Sequence, residues 1–398
     1  MTRAWLPIWL IILMIGLPQL SETVYTPSLP NIAGALEVSE SMVEYTLTIY
    51  LFGFAIGTLF WGKLSDSLGR KPCVLAGLFT FVIGCIGCYS SDSIMLLMMS
   101  RFVQAFGGSI GSVLGQAICR DVFHGPALGR AYSSTSSALA IFPAIGPVIG
   151  GFIAERFGWA SIFIFLMLFA IVLSVLVAKC LPETHSANER KPIALFNVAT
   201  MLLKDTRVIG LGLIVAASNG ISFSYFAEGS FYLIKLLGLS PSQYGLSFIA
   251  IAFGGMLGGI TSKKLHNHHT SKVIMGYGIL ITVIASTIFS SLILLNMQFI
   301  MPKCYLIAIT VTSQMIMVFG ICMITSNSLA LALVDYKWCI GTASSLFGFF
   351  YYCCISLVTL FMGVLRNGTL LPMPLYFFSI CIFMLCVQKT MIHQHQDI

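Results

Sequence analysis

The chain has 398 residues, of which 58% are hydrophobic and 9% charged, with a mean hydropathy of +0.94 and a formal net charge of +7. A soluble globular domain carries about 25% charged residues, so this composition excludes one and implies a chain that lies mostly within a bilayer. No G-x-x-x-x-G-K-[ST] nucleotide loop is present, which argues against an ATP-driven machine or an enzyme of that class. The basic residues are spread over short loops, without the single patch that nucleic acid demands.

Apolar windows of about twenty residues can cross a hydrocarbon core of roughly 30 Å as helices. They predict twelve spans, near residues 5–24, 43–62, 72–90, 94–117, 131–153, 160–181, 207–232, 244–262, 273–295, 304–333, 341–362 and 372–390. One long polar interruption, residues 182–206, separates a half at 1–181 from a half at 207–398. The expectation is an all-α integral membrane protein with twelve transmembrane helices in two six-helix pseudo-repeats.

The first span carries Glu22, the fourth Arg101 and the seventh Glu228. An ionisable group at the bilayer centre costs at least ~2.5–3.5 kcal/mol and persists only beside a partner or a watery cavity. At about 1.5 Å per residue, Glu22 lies about 7 to 8 Å below Pro27 and Arg101 about 10 Å below Ile94, similar depths that allow an ion pair. Burial disfavours the charged acid and a cation favours it, so a proton and a substrate can compete for Glu22, with Arg101 as its partner and Glu228 as the rival coupling residue; a static pair fixing helix register is the plainer alternative. Ala33-Gly34-Ala35 lies too far beyond the first apolar run to read as the cleavage site of a signal peptide.

Between the second and third spans, Gly62-Lys63-Leu64-Ser65-Asp66-Ser67-Leu68-Gly69-Arg70-Lys71 is a glycine-framed charge cluster, expected to be a short loop. Small residues at four-residue spacing let helices approach where lipid supplies no hydrophobic drive. The second span has Gly53 and Gly57, the fourth Gly107, Gly111 and Gly115, and the fifth Gly146-Pro147-Val148-Ile149-Gly150-Gly151. The eighth has two interleaved pairs, Gly254 with Gly258 and Gly255 with Gly259. Asn219, Ser222, Ser224 and Tyr225 make the seventh span the most polar. With Gln104 and Tyr50 they are candidates to line a central cavity shared by Glu22 and Glu228, interhelical hydrogen bonding being the alternative. Tyr351, Tyr352, Phe349 and Phe350 could add an aromatic wall for a bulky amphipathic ligand.

Most of the cysteines sit in predicted spans, where cysteine behaves as a small hydrophobe, and His266, His268 and His269 share one loop expected to be solvated. No metal is expected. Asn367-Gly368-Thr369 is a formal glycosylation triplet, relevant only in a eukaryote. With the N-terminus inside, sixteen Lys and Arg fall on the inner side. Arg156, Lys235, Lys303 and Arg366 fall outside, and Arg101 within a span. The positive-inside bias therefore puts both termini in the cytoplasm.

The 62–71 segment resembles the signature loop between the second and third helices of the major facilitator superfamily, and Arg101-Phe102-Val103-Gln104-Ala105-Phe106-Gly107-Gly108 resembles its fourth-span motif. Tyr25-Thr26-Pro27-Ser28-Leu29-Pro30 and Ile118-Cys119-Arg120-Asp121-Val122-Phe123 are similar to the bicyclomycin and chloramphenicol resistance (Bcr/CflA) branch of drug:proton antiporters. The likeness is dense through residue 184. Beyond it the likeness is mainly organisational, with residues 258–265 as a worn second copy of the loop motif. That branch usually carries an Asp where this chain has Thr23, with the acid moved to Glu22.

The resemblance implies the major facilitator fold and a secondary transporter needing no cofactor beyond a proton gradient. It also implies small-molecule substrate and protons as partners, a monomer in a bacterial inner membrane, and export of drugs or small amphipathic compounds. It assigns Gly146, Pro147, Gly150 and Gly151 to the antiporter motif thought to seal the pathway. It assigns Gly62, Asp66, Gly69, Arg70, Lys71, Arg120 and Asp121 to a gating loop in which Asp66 meets a helix N-terminus and nearby arginines. A dedicated exporter of one metabolite or siderophore, and a non-transporting sensor on the same fold, are the alternatives.

Overall fold

The computed structural model describes residues 7–123, 135, 141–184 and 195–392, and within them every regular element is helical. The N-terminal helices are α1 (Ile8–Thr23), α2 (Glu40–Leu68), α3 (Arg70–Tyr89), α4 (Ile94–Val122), α5 (Phe142–Phe157) and α6 (Ser161–Cys180). The C-terminal ones are α7 (Thr206–Ser230), α8 (Pro241–Leu265), α9 (Ser271–Gln298), α10 (Lys303–Ala332), α11 (Ile340–Leu365) and α12 (Pro372–Val387). Eleven of these, some lengthened by an adjoining turn, are long and apolar enough to cross a membrane. The other, α5, has 16 described residues, and much of the first half of its predicted span lies outside the described residues.

Local chemistry sets the helix starts. Ser39 and Ser93 cap α2 and α4, Asp205 accepts from Arg207 N and Val208 N at the start of α7, and Ser240 with Gln243 forms a reciprocal capping box on α8. Each satisfies amides that a helix leaves without an internal partner. One apolar core is built from residues between Leu10 and Leu181 together with Phe231, and a second from residues between Val198 and Val387. Large apolar side chains such as Phe79, Val172 and Phe361 point outward from the bundle, as a lipid-facing surface requires.

The 62–71 segment departs from the expected loop. The helix α2 continues through Leu68 and α3 begins at Arg70, so the turn is Gly69 alone, at φ +103°. Only glycine adopts that backbone without strain. At the membrane edge water solvates Lys63 and Asp66, so a charge cluster marks the interface without ending a helix. The interruption at 182–206 likewise contains a helix, Leu195–Lys204.

The two halves meet along α2 with α11 and along α5 with α8. Pro147 and Gly151, one turn apart, face α8. A Cβ on Gly151 would lie 2.4 Å from Pro241 O, and one on Gly245 2.3 Å from Pro147 O. Gly146 and Gly150 face α1, where their added Cβ atoms would lie 2.0 Å from Thr23 Oγ1 and 1.9 Å from Val24 O. The fifth-span motif is thus two adjacent smooth stripes, one serving its own half and one the junction between halves.

Candidate functional site

Between the halves lies a cavity of about 360 Å³. Its lining runs from Arg120 and Gly341, at the face carrying the 62–71 segment, up α11 to Tyr351, Tyr352 and Ile355. That rise is about 20 Å along the helix. Gln19, Thr58, Gln116, Asn219 and Ser345 give the wall hydrogen-bonding groups, and Phe54, Phe223 and the two tyrosines give it flat apolar ones. Arg120 carries the one formal charge among the described lining residues. A pocket of this kind suits an amphipathic molecule with few charges.

Glu22 sits one turn beyond Gln19, fully buried, and both its carboxyl oxygens lack a hydrogen-bond partner. Gln19 is the last α1 residue on the wall, so Glu22 lies just beyond the inner end of the cavity. Arg101, also fully buried, is held in the N-terminal half. Its guanidinium lies 4.4 Å from the Tyr25 ring centroid and 4.1 Å from that of Tyr50, and its Nη1 donates to Gln104 Oε1 at 2.6 Å. Gln104 Nε2 in turn reaches Cys85 Sγ at 3.1 Å, and Tyr50 OH donates to Pro18 O at 3.3 Å. The expected Glu22–Arg101 pair is not closed here. Arg101 Nε and Nη2 stay without acceptors, and both carboxyl oxygens of Glu22 without donors.

Of the proposed lining residues, Asn219 is on the cavity wall, bonded to Val215 O and Thr325 Oγ1. Gln104 and Tyr50 are instead buried around Arg101, Tyr225 packs against Phe248, and Ser222 is absent from the wall. Along α7 the wall takes residues 215, 219 and 223, one face at four-residue spacing. Ser222 and Tyr225 are turned from Phe223 by about 100° and 200°. Glu228 does not share the Glu22 cavity either. It joins Glu44 and Arg366 at the opposite face of the bundle.

The gating residues form a network within the N-terminal half. Arg70 bridges Asp66 at 2.7 Å and Asp121 at 3.0 Å, and also donates to Ser65 Oγ. Thr184 Oγ1 donates to Asp121 as well. The acid at a helix N-terminus is Glu183, which accepts from Arg70 N at 2.8 Å and Lys71 N at 3.1 Å, whereas Asp66 meets only the arginine. Lys71 Nζ caps Ala178 O, and Gly62 touches the other half at Ser345 of α11. Removing the carboxylate in Glu183→Ala should cost about 1 kcal/mol, the usual worth of an N-cap. Asp66→Asn should cost less, because its partner contact is half-exposed and such pairs give ~0–1 kcal/mol. Thermal midpoints of the two purified variants check the order, and equal shifts would contradict it.

Sequence reading missed Glu40, Glu44, Arg366 and Lys235 as a group. Glu44 was the second residue of the predicted 43–62 span, so its burial was in reach; its pairing with a residue in the other half was not.

The profile described as Major Facilitator Superfamily matches residues 11–388. A Rickettsia felis protein described as an uncharacterized transporter is 36% identical over 385 residues, covering 95% of this chain and 94% of its own. A bicyclomycin resistance protein homolog of Haemophilus influenzae is 28% identical, covering 90% and 88%. The xylose transporter XylE from E. coli, in a partially occluded inward-open conformation, superposes with a TM-score of 0.74 at 13% identity, covering 99% and 98%. This last likeness concerns the fold.

Proposed function

The chain belongs to the major facilitator superfamily of transporters, and on that premise we propose that it exports small amphipathic compounds, drugs among them, in exchange for protons by alternating access. The observation that carries the reading is Glu22, a buried carboxyl without a hydrogen-bond partner one turn beyond Gln19, which lines a cavity between the halves. An acid kept there at a cost of several kcal/mol needs a use, and a proton or a substrate group can each satisfy it. Arg101, stacked between two tyrosines, supplies a fixed cation that makes the charged form of Glu22 tolerable when the proton leaves.

The sixteen Lys and Arg that the sequence assigns to the inner loops, those of the 62–71 segment among them, argue that the face carrying this segment is cytoplasmic. The cavity then opens toward the cytoplasm, the state in which an exporter loads. The bicyclomycin resistance relative supports export from a bacterial inner membrane. The scarcity of charge on the wall favours neutral or weakly charged substrates.

Everted vesicles loaded with a pH-sensitive dye test this. Several unrelated amphipathic compounds should each trigger proton efflux, and Glu22→Gln should bring the response to background. Response to a single chemical class would establish a dedicated exporter. Silence across a panel of lipophilic cations, phenicols and siderophore-like acids would support a sensor, and a Glu22→Gln protein that still couples protons would remove Glu22 from the mechanism.

A further inference from the structure

The face opposite the cavity mouth is closed by charges from both halves. Glu40 and Glu44 come from the start of α2, Glu228 from the end of α7, Lys235 from the π-helical turn Phe231–Leu236, and Arg366 from the residue after α11. Arg366 Nη1 is 2.8 Å from Glu44 Oε1 and its Nε 3.4 Å from Glu228 Oε2, while its Nη2 pairs with Glu40. Its guanidinium lies 3.9 Å from the Phe231 ring centroid, and Lys235 takes the remaining oxygen of Glu40. The Glu44, Glu228 and Arg366 side chains are 1%, 3% and 5% exposed, so the inner set is two acids and one cation shut away from water.

Glu44 and Glu228 share the one Arg366 guanidinium, through its Nη1 and its Nε. Glu44 Oε2 and Glu228 Oε2 have no hydrogen-bond donor. An ionised carboxylate only accepts, so in this dry site the two oxygens can be satisfied only by a proton held between the acids. With one proton the buried triad is neutral; without it two like charges face each other in a dry site, which they cannot sustain. Glu40, paired with Arg366 and Lys235, and the Tyr45 and Tyr232 phenols are the other titratable groups around the triad.

We propose that Glu44, Glu228 and Arg366 form a second proton-binding site, whose occupation closes the mouth opposite the cavity. The inference rests on the alternating-access reading above and goes beyond it. Glu44 belongs to one half and Glu228 and Arg366 to the other. When the halves part there, Glu228 keeps Arg366, Glu44 meets water, and the shared proton leaves. Closing reverses this: two carboxylates and one proton from the outer solution become one hydrogen-bonded acid pair. Return of the emptied carrier thus takes up a proton from outside, and acid outside favours the closed mouth. For one proton the closed-to-open ratio changes about tenfold per pH unit where the open-state acids are ionised.

Hydrogen exchange on the full-length protein in lipid nanodiscs tests it, following residues 40–47 and 227–233 after correction for the intrinsic pH dependence of exchange. In the wild type, opening of these segments should rise with that slope over part of the range from about pH 5 to 9. In Glu228→Gln the amide donates to Glu44 as the acid would, so the mouth should stay closed with the slope abolished, and Glu44→Gln should do the same from the other side. A wild type that opens without a pH slope, or glutamine variants that both keep the slope, would overturn the gate alone. A mouth that opens at no pH, even with a phenicol present, would overturn alternating access and the gate with it.

Discussion

An Arg101→Met protein should lose transport and fall several degrees in thermal midpoint, and adding Glu22→Gln should recover part of the midpoint but not the transport. Arg101 is fully buried, stacked on Tyr25 and Tyr50, and bonded to Gln104. A desolvated cation–π contact is worth about 2 kcal/mol, and removing one member of a buried charged set costs about 3–5 kcal/mol, mainly because the remaining charge is stranded. Methionine nearly fills the volume but strands Glu22. Glutamine at position 22 removes the stranded acid, and replacing a whole buried ionic set by neutral groups is often neutral for stability. The double variant thereby separates the structural role of the pair from its chemical one. Substrate-triggered proton efflux read beside the midpoint checks both halves of the expectation. Recovery of transport in the double variant would mean that Glu22 and Arg101 only hold helices in register.

The membrane architecture was legible because apolar length and small-residue spacing are local properties. The spans, and the stripes Gly146 with Gly150 and Gly254 with Gly258, needed no partner to be read. The latter pair indeed brings α8 against Met315 O and Phe319 O of α10. Which face a polar residue turns to was less accessible. Gln104 was placed in the cavity on polarity alone, yet the α4 wall is Ser112, Val113, Gln116 and Arg120. Eight residues back from Ser112 the helix has turned by about 80°, which carries Gln104 to Arg101 and Cys85. Least accessible were the pairings between halves. Arg366 read as an ordinary loop cation, and its bonds to Glu44, 322 positions away, depend on how two separately built bundles dock. The expected contact of Asp66 with a helix N-terminus failed for a related reason: Glu183 reaches the α3 amides from residue 183, and no local pattern announces that.

The glycines of the fifth span should give opposite kinds of defect although they are neighbours. A Cβ on Gly150 would lie 1.9 Å from Val24 O and 3.0 Å from Val24 Cα. Backbone cannot rotate aside, so α1 and α5 must separate in every conformation of the N-terminal half. Overpacking of this kind costs about 1–3 kcal/mol or more, and Gly150→Ala should lower the thermal midpoint and the yield of folded protein. A Cβ on Gly151 would strike Pro241 O and Ser242 Cα, which belong to α8 in the other half. That clash exists only while the two halves touch at the face opposite the cavity mouth, where Glu155 also accepts from Ser242 N. On the alternating-access reading Gly151→Ala therefore leaves each half intact and penalises only the state with this mouth closed. The same 1–3 kcal/mol then shifts the conformational ratio roughly 5- to 150-fold toward the open mouth. Gly259, whose Cβ would meet nothing within 4 Å, supplies the neutral control. Hydrogen exchange at residues 241–248, read beside the thermal midpoint, distinguishes the outcomes. A Gly151→Ala protein that unfolds as Gly150→Ala does, with no gain in opening, would show that the seal between halves is ordinary packing and not the hinge of a transport cycle.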